Sequence, residues 1–327
     1  MIRPSLTEYS APFQEKVKNM YIGFDTSNYT TSLALFDGEN VYQAKKLLEV
    51  KSGERGLRQS DAVFQHTVNI PVLLRELNFS GNVDAVAVSI RPRNTEGSYM
   101  PCFLVGENSA CCVSKFADVP LYTTSHQVGH ILAALYSVGR LELINENFIA
   151  FHVSGGTTEA LLVTPDSDEL IKADIIAQST DLKAGQAIDR TGVMLGLKFP
   201  CGAEIDKLAQ NSDKEYCIKP SMVGMNCSLS GVENKVKKMI DDKNAKEDVA
   251  KFVLSSVSSA IEKMTENILN KYGNLPIVYA GGVMSNTLIR HNVSRKFCNY
   301  DINFAEPEFS CDNACGIAIF GYLRDRK

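Results

Sequence analysis

Two groups of residues in this sequence combine reactive side chains with a spacing that brings them together. His126 and His130 stand four residues apart in SHQVGHILAAL, a stretch of helical composition, and residues at that spacing share one helical face. Two imidazoles so placed can reach one metal ion, or they are two packed or surface histidines. The chain has five histidines in all, so the pair stands out. The second group lies in FIAFHVSGGTTEALLV, Phe148 to Val163, where an apolar run ends in Ser154, Gly155 and Gly156 and another follows at once. Glycine admits backbone angles that other residues resist, so the pattern predicts a strand, a tight turn and a returning strand. Bare amides gathered in such a turn suit a phosphate or another anion, because no Cβ holds the ligand away. An ordinary hairpin would carry the same residues.

Further polar residues fall at element ends. Ala177 to Leu208 predicts a helix carrying Asp189, a turn at Pro200 to Gly202 and a second helix carrying Asp206. Those carboxylates can accept hydrogen bonds from the hydroxyls of a ribose or an amino-acid moiety, or they cap helices and face solvent. The strand predicted at Ile277 to Ala280 ends in Gly281 and Gly282 and gives way to VMSNTLIRHNV, which places Asn286 in the first turn of a helix. A strand, a glycine pair and a helix in succession recur at nucleotide contacts. Asp312, in FSCDNACGIAIFGYL, is predicted at the start of a helix rich in small residues, where a carboxylate also favours the helix dipole.

The elements that must position these residues form a repeat. Met20 to Lys46 reads as strand MYIGFD, polar turn TSNYT, strand TSLALFD, hairpin turn DGEN and strand VYQAKK. FHVSGG, TTEALLVT, PDSDE and LIKAD repeat that order, and a repeated unit implies two related domains, each turning one polar loop toward a shared cleft. Between the copies, Asp61 to Leu77 has helical spacing and Val83 to Ile90 is a continuous apolar run of the kind buried in parallel sheets. The polar loop RPRNTEGSYM, a helix at Phe103 to Phe116 and a short strand at Val119 to Tyr122 follow. Glu247 to Tyr272 is a long amphipathic helix. The class is α/β, divided as an extension over 1–19, a first domain over 20–145 and a second over 146–327.

Composition bounds the rest. With 327 residues, 44% hydrophobic and 22% charged, the chain suits a soluble globular protein of about two domains. No apolar stretch reads as a secretory signal or a membrane span, so the expected setting is cytoplasmic, away from membranes. Nine scattered cysteines without a C-x-x-C pair read as reduced thiols. The net charge of −4 means that any nucleic-acid contact needs a local basic patch or a partner protein.

Taken in order, these motifs resemble the threonylcarbamoyl-adenosine synthase family, formerly described as glycoproteases, from Met20 to Tyr322. The family's opening GIETSCDET is similar to Gly23-Phe24-Asp25-Thr26-Ser27-Asn28-Tyr29-Thr30-Thr31. Its H-x-E-G-H is similar to His126 through His130, its VSGGHT to Val153 through Thr158, and its AGEAFDK to Ala184 through Arg190. Its PGG with a following acid resembles Pro200-Cys201-Gly202 with Asp206, its SFSGLK Ser228 through Val232, its GGVAAN Gly281 through Asn286, and its DNA Asp312-Asn313-Ala314.

The resemblance implies two related domains of the actin-like, sugar-kinase and chaperone-ATPase fold with a cleft between them. It implies one divalent transition metal, iron or zinc, held by His126, His130 and Asp312. An adenylate or ATP would be held by His152, Val153, Ser154, Gly155 and Gly156 with Asp189, Gly202, Asp206 and Asn286. The implied activity moves a threonylcarbamoyl group from its adenylate to the exocyclic amine of the tRNA adenosine beside the anticodon, releasing AMP. Implied partners are tRNA and accessory proteins, among them an actin-like paralogue and a small ATPase.

Departures from the family pattern cluster in the loops. Tyr29 and Thr30 replace an Asp-Glu pair, removing a candidate proton acceptor, and the catalytic residues stay unassigned. Val128 replaces the acid between the histidines, and Thr157 the histidine after SGG. The loop from Arg91 to Gly106 is longer and more basic than the family's GPGLxGALLVG, so Arg91 and Arg93 either meet a phosphate backbone or are solvated. Two further functions stand beside the acyltransferase: a nucleotide-binding, ATPase-like paralogue with a regulatory or scaffolding role, and, weakest, a metallopeptidase, which lacks the glutamate of H-E-x-x-H enzymes.

Overall fold

The structure is a computed structural model that describes residues 19–27, 29–50, 57–79 and 81–327. Most of the N-terminal extension, residues 1–18, and Asn28 of the first loop lie outside the described residues. The repeat read from the sequence is present as two sheets. Strands β1 (Tyr21–Asp25), β2 (Thr30–Phe36) and β3 (Val41–Leu47) pair antiparallel. Helix α1 (Gln59–Glu76) returns the chain to β4 (Ala85–Arg91), parallel to β1, and α2 (Phe103–Ala117) returns it to β5 (Leu121–Ser125), parallel to β4. The order is β3-β2-β1-β4-β5.

Helix α3 (His126–Ser137) carries the chain to the second sheet. There β6 (Phe148–Val153), β7 (Thr158–Asp166) and β8 (Leu170–Gln178) again pair antiparallel. Helices α4 (Ala184–Met194) and α5 (Gly202–Gln210), a hairpin of β9 (Ser221–Val223) and β10 (Asn226–Ser228), and helices α6 (Ser230–Asp241) and α7 (Lys246–Tyr272) follow. Strand β11 (Ile277–Ala280) lies parallel to β6, and after α8 (Thr287–Lys296) comes β12 (Ile302–Phe304), parallel to β11. The order β12-β11-β6-β7-β8 repeats the first sheet's topology. Helix α9 (Cys315–Asp325) ends the fold.

Alternation along the strands explains the layering, since successive side chains of a strand point to opposite faces. Ile149, Phe151 and Val153 of β6 face a core shared with α4, α5 and α7, while Phe148 and Ala150 face the opposite way toward α3 and α9. In the first sheet, Ile22, Phe24, Val86 and Val88 pack under α1 and α2, and Ala34, Phe36 and Ala87 turn toward α3 and α9. The result is five layers, helix on sheet on helix on sheet on helix, with α3 and α9 shared by both sheets.

Four boundary differences from the sequence reading bear on the site. Strand β5 begins at Leu121 and not Val119, because Pro120 has no N–H for the ladder and serves only as an acceptor, from Val86. Residues 177–178 finish β8, so the helix bearing Asp189 starts only at Ala184. Asn286 is the N-cap of α8 and not a first-turn residue: Gly282–Ser285 forms a short 3-10 turn, and the Asn286 side chain accepts from the Ile289 N–H. Asp312 lies in the loop before α9, because the Asn313 side chain takes the Cys315 N–H and sets the helix start there.

Helices α3 and α9 cross at Gly129 and Gly316. A Cβ on Gly316 would collide with the carbonyl oxygen of Gly129, and one on Gly129 would meet the Ile317 side chain. Gly23 of β1 allows the same approach on the other side, where a Cβ would strike the backbone of Ala318 and Ala314. At Gly316 and Gly23 backbone opposes backbone, so no rotamer change can relieve the clash. Gly316→Ala is therefore expected to cost about 1–3 kcal/mol in chemical denaturation. Denaturation at the wild-type midpoint would show that the crossing tolerates a side chain.

Candidate functional site

Ser125 caps α3, its Oγ accepting from the Val128 N–H, so His126 is the helix's first residue and His130 sits one turn above it. The rings lie edge to face with centroids 4.3 Å apart. Asp312 approaches from the loop before α9: its Oδ1 is 3.1 Å from His130 Nε2 and 3.5 Å from His126 Nε2. One donor atom from each of the three residues lies within 4.8 Å of the other two.

The sequence reading missed a fourth member. Asp25, at the end of β1, is buried and accepts from His126 Nδ1 across 2.6 Å. Its other oxygen receives the Ser89 hydroxyl and the Ser27 N–H. A carboxylate on Nδ1 turns the Nε2 lone pair outward, which is the arrangement of metal-bound histidines. The donor set, two imidazole nitrogens and a carboxylate oxygen with a carboxylate behind one ring, therefore fits a divalent iron or zinc ion. The only trace in the sequence was an aspartate ending an apolar strand, which does not reveal its partner.

The electrostatics agree with that fit. Burial alone would lower the His126 pKa, but the adjacent Asp25 and Asp312 carboxylates raise it to about 10. Burial opposes charge on Asp312 as well, yet hydrogen bonds from both imidazoles hold its carboxyl well below the usual range. A cation is thus favoured between these groups, and a metal ion would displace the His126 Nε2 proton on binding.

His152 stands beside this cluster and lines the same cleft as Ser154 and Gly156. Its ring centroid is 5.0 Å from that of His130, and burial, reinforced by His130 and His126, lowers its pKa to about 3. It is a neutral imidazole. The Val153 side chain is fully buried in the core of the second sheet, so it offers only backbone to the adjoining turn.

That turn is short and closed. The Ser154 N–H donates to the Thr157 carbonyl, and the Thr157 N–H to Ser154 Oγ, leaving Gly155 and Gly156 at the tip. A Cβ on either glycine would meet nothing within 4 Å. Behind the turn, the Gly185 N–H donates to the Ser154 carbonyl and the Ala184 N–H to Thr158 Oγ1, which fastens the start of α4 against it.

Two hollows meet here. A cleft of about 990 Å³ is lined by Tyr29, Thr30, His126, His130, His152 and Asp312 together with Ser154, Gly156 and Thr157. A pocket of about 420 Å³ is lined by Gly155, Asp189, Gly202, Asp206 and Asn286, a volume in the usual range for small-ligand sites. Ser154 and Gly282 border both. The polar residues of the smaller pocket also have structural duties. Asp189 accepts the Cys201 N–H, and Asp206 receives both the N–H and the hydroxyl of Thr287 at the start of α8. Lining and capping coincide.

The arginines of the altered loop point inward. Arg91 pairs with Glu169 at 2.7 Å, and Glu169 also accepts from Thr124. Arg93 donates to both oxygens of Glu159 at 2.9 Å. They link the first sheet to the second instead of standing free in solvent. Thr30, where the family pattern has an acid, places its hydroxyl 3.4 Å from Asp312 Oδ2.

A sequence model of the tRNA N6-adenosine threonylcarbamoyltransferase family matches residues 46–319. A protein of that description from Thermosipho africanus is 30% identical over 320 residues, 94% of each chain. Among solved structures, the chain resembles component A of (R)-2-hydroxyglutaryl-CoA dehydratase from Acidaminococcus fermentans, with a TM-score of 0.56 at 15% identity, covering 94% of this chain and all of that one. It also resembles full-length HypF, with a TM-score of 0.59 at 12% identity, covering 96% of this chain and 56% of that one. These similarities establish the actin-like, sugar-kinase type of fold. Among the described residues, no helix is long and apolar enough to cross a membrane.

Calorimetric titration with zinc is expected to show one site per chain, lost in His126→Ala/His130→Ala and weakened about 10–100-fold in Asp25→Asn. Unchanged affinity in Asp25→Asn would mean that the buried carboxylate does not orient a ligand. AMP is expected to bind the smaller pocket, with Gly155→Val weakening it by on the order of tenfold or more, the loss of about one hydrogen bond to a charged group. A Cβ at Gly155 meets nothing within 4 Å, so equal binding would show the turn to be a plain hairpin.

Proposed function

The chain belongs to the tRNA N6-adenosine threonylcarbamoyltransferase family, and we propose that it transfers a threonylcarbamoyl group from threonylcarbamoyl-AMP to the exocyclic amine of the tRNA adenosine beside the anticodon. One observation carries this reading: the histidine-aspartate cluster and the smaller pocket open onto each other at Ser154 and Gly282. A ligand with a nucleoside at one end and a reactive carbonyl at the other fits that arrangement.

In this reading the adenosine lies against Asp189, Gly202, Asp206 and Asn286, and its phosphate meets the amides of Gly155 and Gly156. The acyl carbonyl extends past Ser154 toward His126, His130 and Asp312, which hold the divalent metal. When bound, that ion supplies Lewis-acid polarisation of the carbonyl. The amine nitrogen forms a bond to the carbonyl carbon while the bond from that carbon to the phosphate oxygen breaks, and AMP departs with the electron pair. Fixed amides at the turn stabilise the charge growing on the phosphate without having to reorganise. Asp25 keeps His126 in the tautomer the cluster requires.

One amine proton is released. Among the described residues, the carboxylates lining the cleft are Asp312 and Glu159, and both are engaged, with His130 and Arg93. Tyr29 and Thr30 bear hydroxyls where the family pattern has carboxylates, so the proton passes to the departing phosphate or to water. Glu159, held by Arg93, is likewise not poised to activate water for peptide hydrolysis. The proposal includes tRNA as acceptor and accessory proteins, an actin-like paralogue and a small ATPase, that help deliver it, since a net charge of −4 gives no general attraction for RNA.

A second reading rests on Tyr29 and Thr30 in the first loop: a paralogue that binds adenylate without transferring its acyl group. The deciding assay measures threonylcarbamoyl transfer to unmodified tRNA by the protein alone, with the family's accessory proteins, and in the Tyr29→Asp/Thr30→Glu variant. Transfer by the natural sequence with the accessory proteins, abolished by His126→Ala/His130→Ala, is the expected result. AMP binding without transfer in any combination would favour the second reading, and transfer gained only in the loop variant would show that the first loop has changed the acceptor.

A further inference from the structure

Arg93 occupies an unusual position for a loop arginine. The Pro92 carbonyl accepts the Gln127 N–H, and the Arg93 N–H donates to Ser98 Oγ, so the segment is fastened beside the first turn of α3, next to His126. Its guanidinium reaches across the cleft to Glu159, which is the cross-strand partner of His152. The Glu159 side chain is only 6% exposed, whereas that of Arg93 is one-third exposed. One Arg93 nitrogen serves both Glu159 oxygens, and a guanidinium has five N–H donors in a planar fork.

The cleft lining explains what that fork faces. Arg93 borders the same hollow as His126, His152, Ser154 and Thr157, while Lys45 and Lys46 stand with Tyr29 and Leu47. Lys45 is engaged with Cys311, 2.9 Å away. An acyl-adenylate whose phosphate met the glycine turn and whose carbonyl met the histidines would have the rest of its acyl group in the hollow that Arg93 lines. In a threonylcarbamoyl group that remainder ends in a free carboxylate, and a planar bidentate donor suits a carboxylate better than any other side chain does.

We propose that Arg93 is the specificity residue of the acyl site, its guanidinium binding the free carboxylate of the transferred amino-acid moiety while Glu159 holds it in place from behind. The proposal rests on the reading that an acyl-adenylate occupies the cleft. Glu159 has a definite part in it: a buried carboxylate that orients the guanidinium, balances its charge before substrate arrives and leaves its outer edge to the ligand. The site thereby discriminates against acyl groups of similar size without a negative charge.

The test uses three probes on the full chain: AMP, the non-reactive sulfamoyl analogue of threonylcarbamoyl-adenylate, and the same analogue with its carboxylate converted to carboxamide. The wild type is expected to prefer the carboxylate over the carboxamide by about tenfold or more. Arg93→Met/Glu159→Gln removes the guanidinium without stranding a buried charge, and should bind the two analogues equally while keeping its AMP affinity. Glu159→Gln alone releases Arg93 from its internal partner and should keep the preference. Preference retained in the double variant, or absent from a wild type that binds both analogues, overturns the assignment of Arg93 while leaving the adenylate reading intact. Failure of the wild type to bind AMP or either analogue would overturn the adenylate reading, and this proposal with it.

Discussion

The crossing of α3 over α9 is the constraint on which the site depends. α9 packs on the first sheet and α3 reaches strands of both, and the two helices approach so closely that a methyl group added at Gly316 would strike the backbone of Gly129. The crossing brings His126 and His130, on the first turns of α3, to Asp312 in the loop before α9, although 182 residues separate His130 from Asp312. Protein interiors are close-packed and transmit displacements, so the separation of these ligands is set by the thickness of two glycines rather than by any flexible loop.

A second close approach builds the neighbouring wall. Gly281 adopts a positive φ of 102°, which other residues resist, and lies so near the Val153 carbonyl that a Cβ there would overlap it. Strands β6 and β11 therefore run side by side to their ends before their chains diverge, one into the Ser154 to Thr157 turn and the other into the 3-10 turn ahead of α8. The gap where they part is the boundary shared by cleft and pocket. Sites at the carboxyl ends of parallel strands arise for this reason: the chain must leave the sheet there, and its departing loops surround a space that no side chain of the sheet fills.

Across the cleft, the two sheets are joined by polar contacts as well as by the central helices. Arg91 with Glu169 and Arg93 with Glu159 connect the end of β4 and the loop after it to the second sheet. Glu159 is nearly buried, so its arginine matters more than a surface partner would, since an unpaired buried carboxylate is costly. A loop that looked basic and solvent-facing from its composition is in fact a bridge between the sheets, because the acids that neutralise it come from far along the chain.

Local pattern was enough to determine the elements and their repetition. Alternating and continuous apolar runs marked the strands of both sheets except the three-residue β12 to within a few residues, and the glycine turn at Ser154 to Gly156 could be identified because glycine's backbone freedom is a property of the residue itself. The i, i+4 spacing of His126 and His130 likewise follows from helix geometry alone. What the sequence could not determine was which distant groups complete the site. Asp25 behind His126, His152 beside His130 and Glu159 under Arg93 are all settled by contacts between elements. The physical reason is the range of the interactions: turn and helix preferences act over about four residues, whereas an ion pair or a ligand cluster depends on where two sheets and the helices between them bring side chains separated by dozens to hundreds of positions.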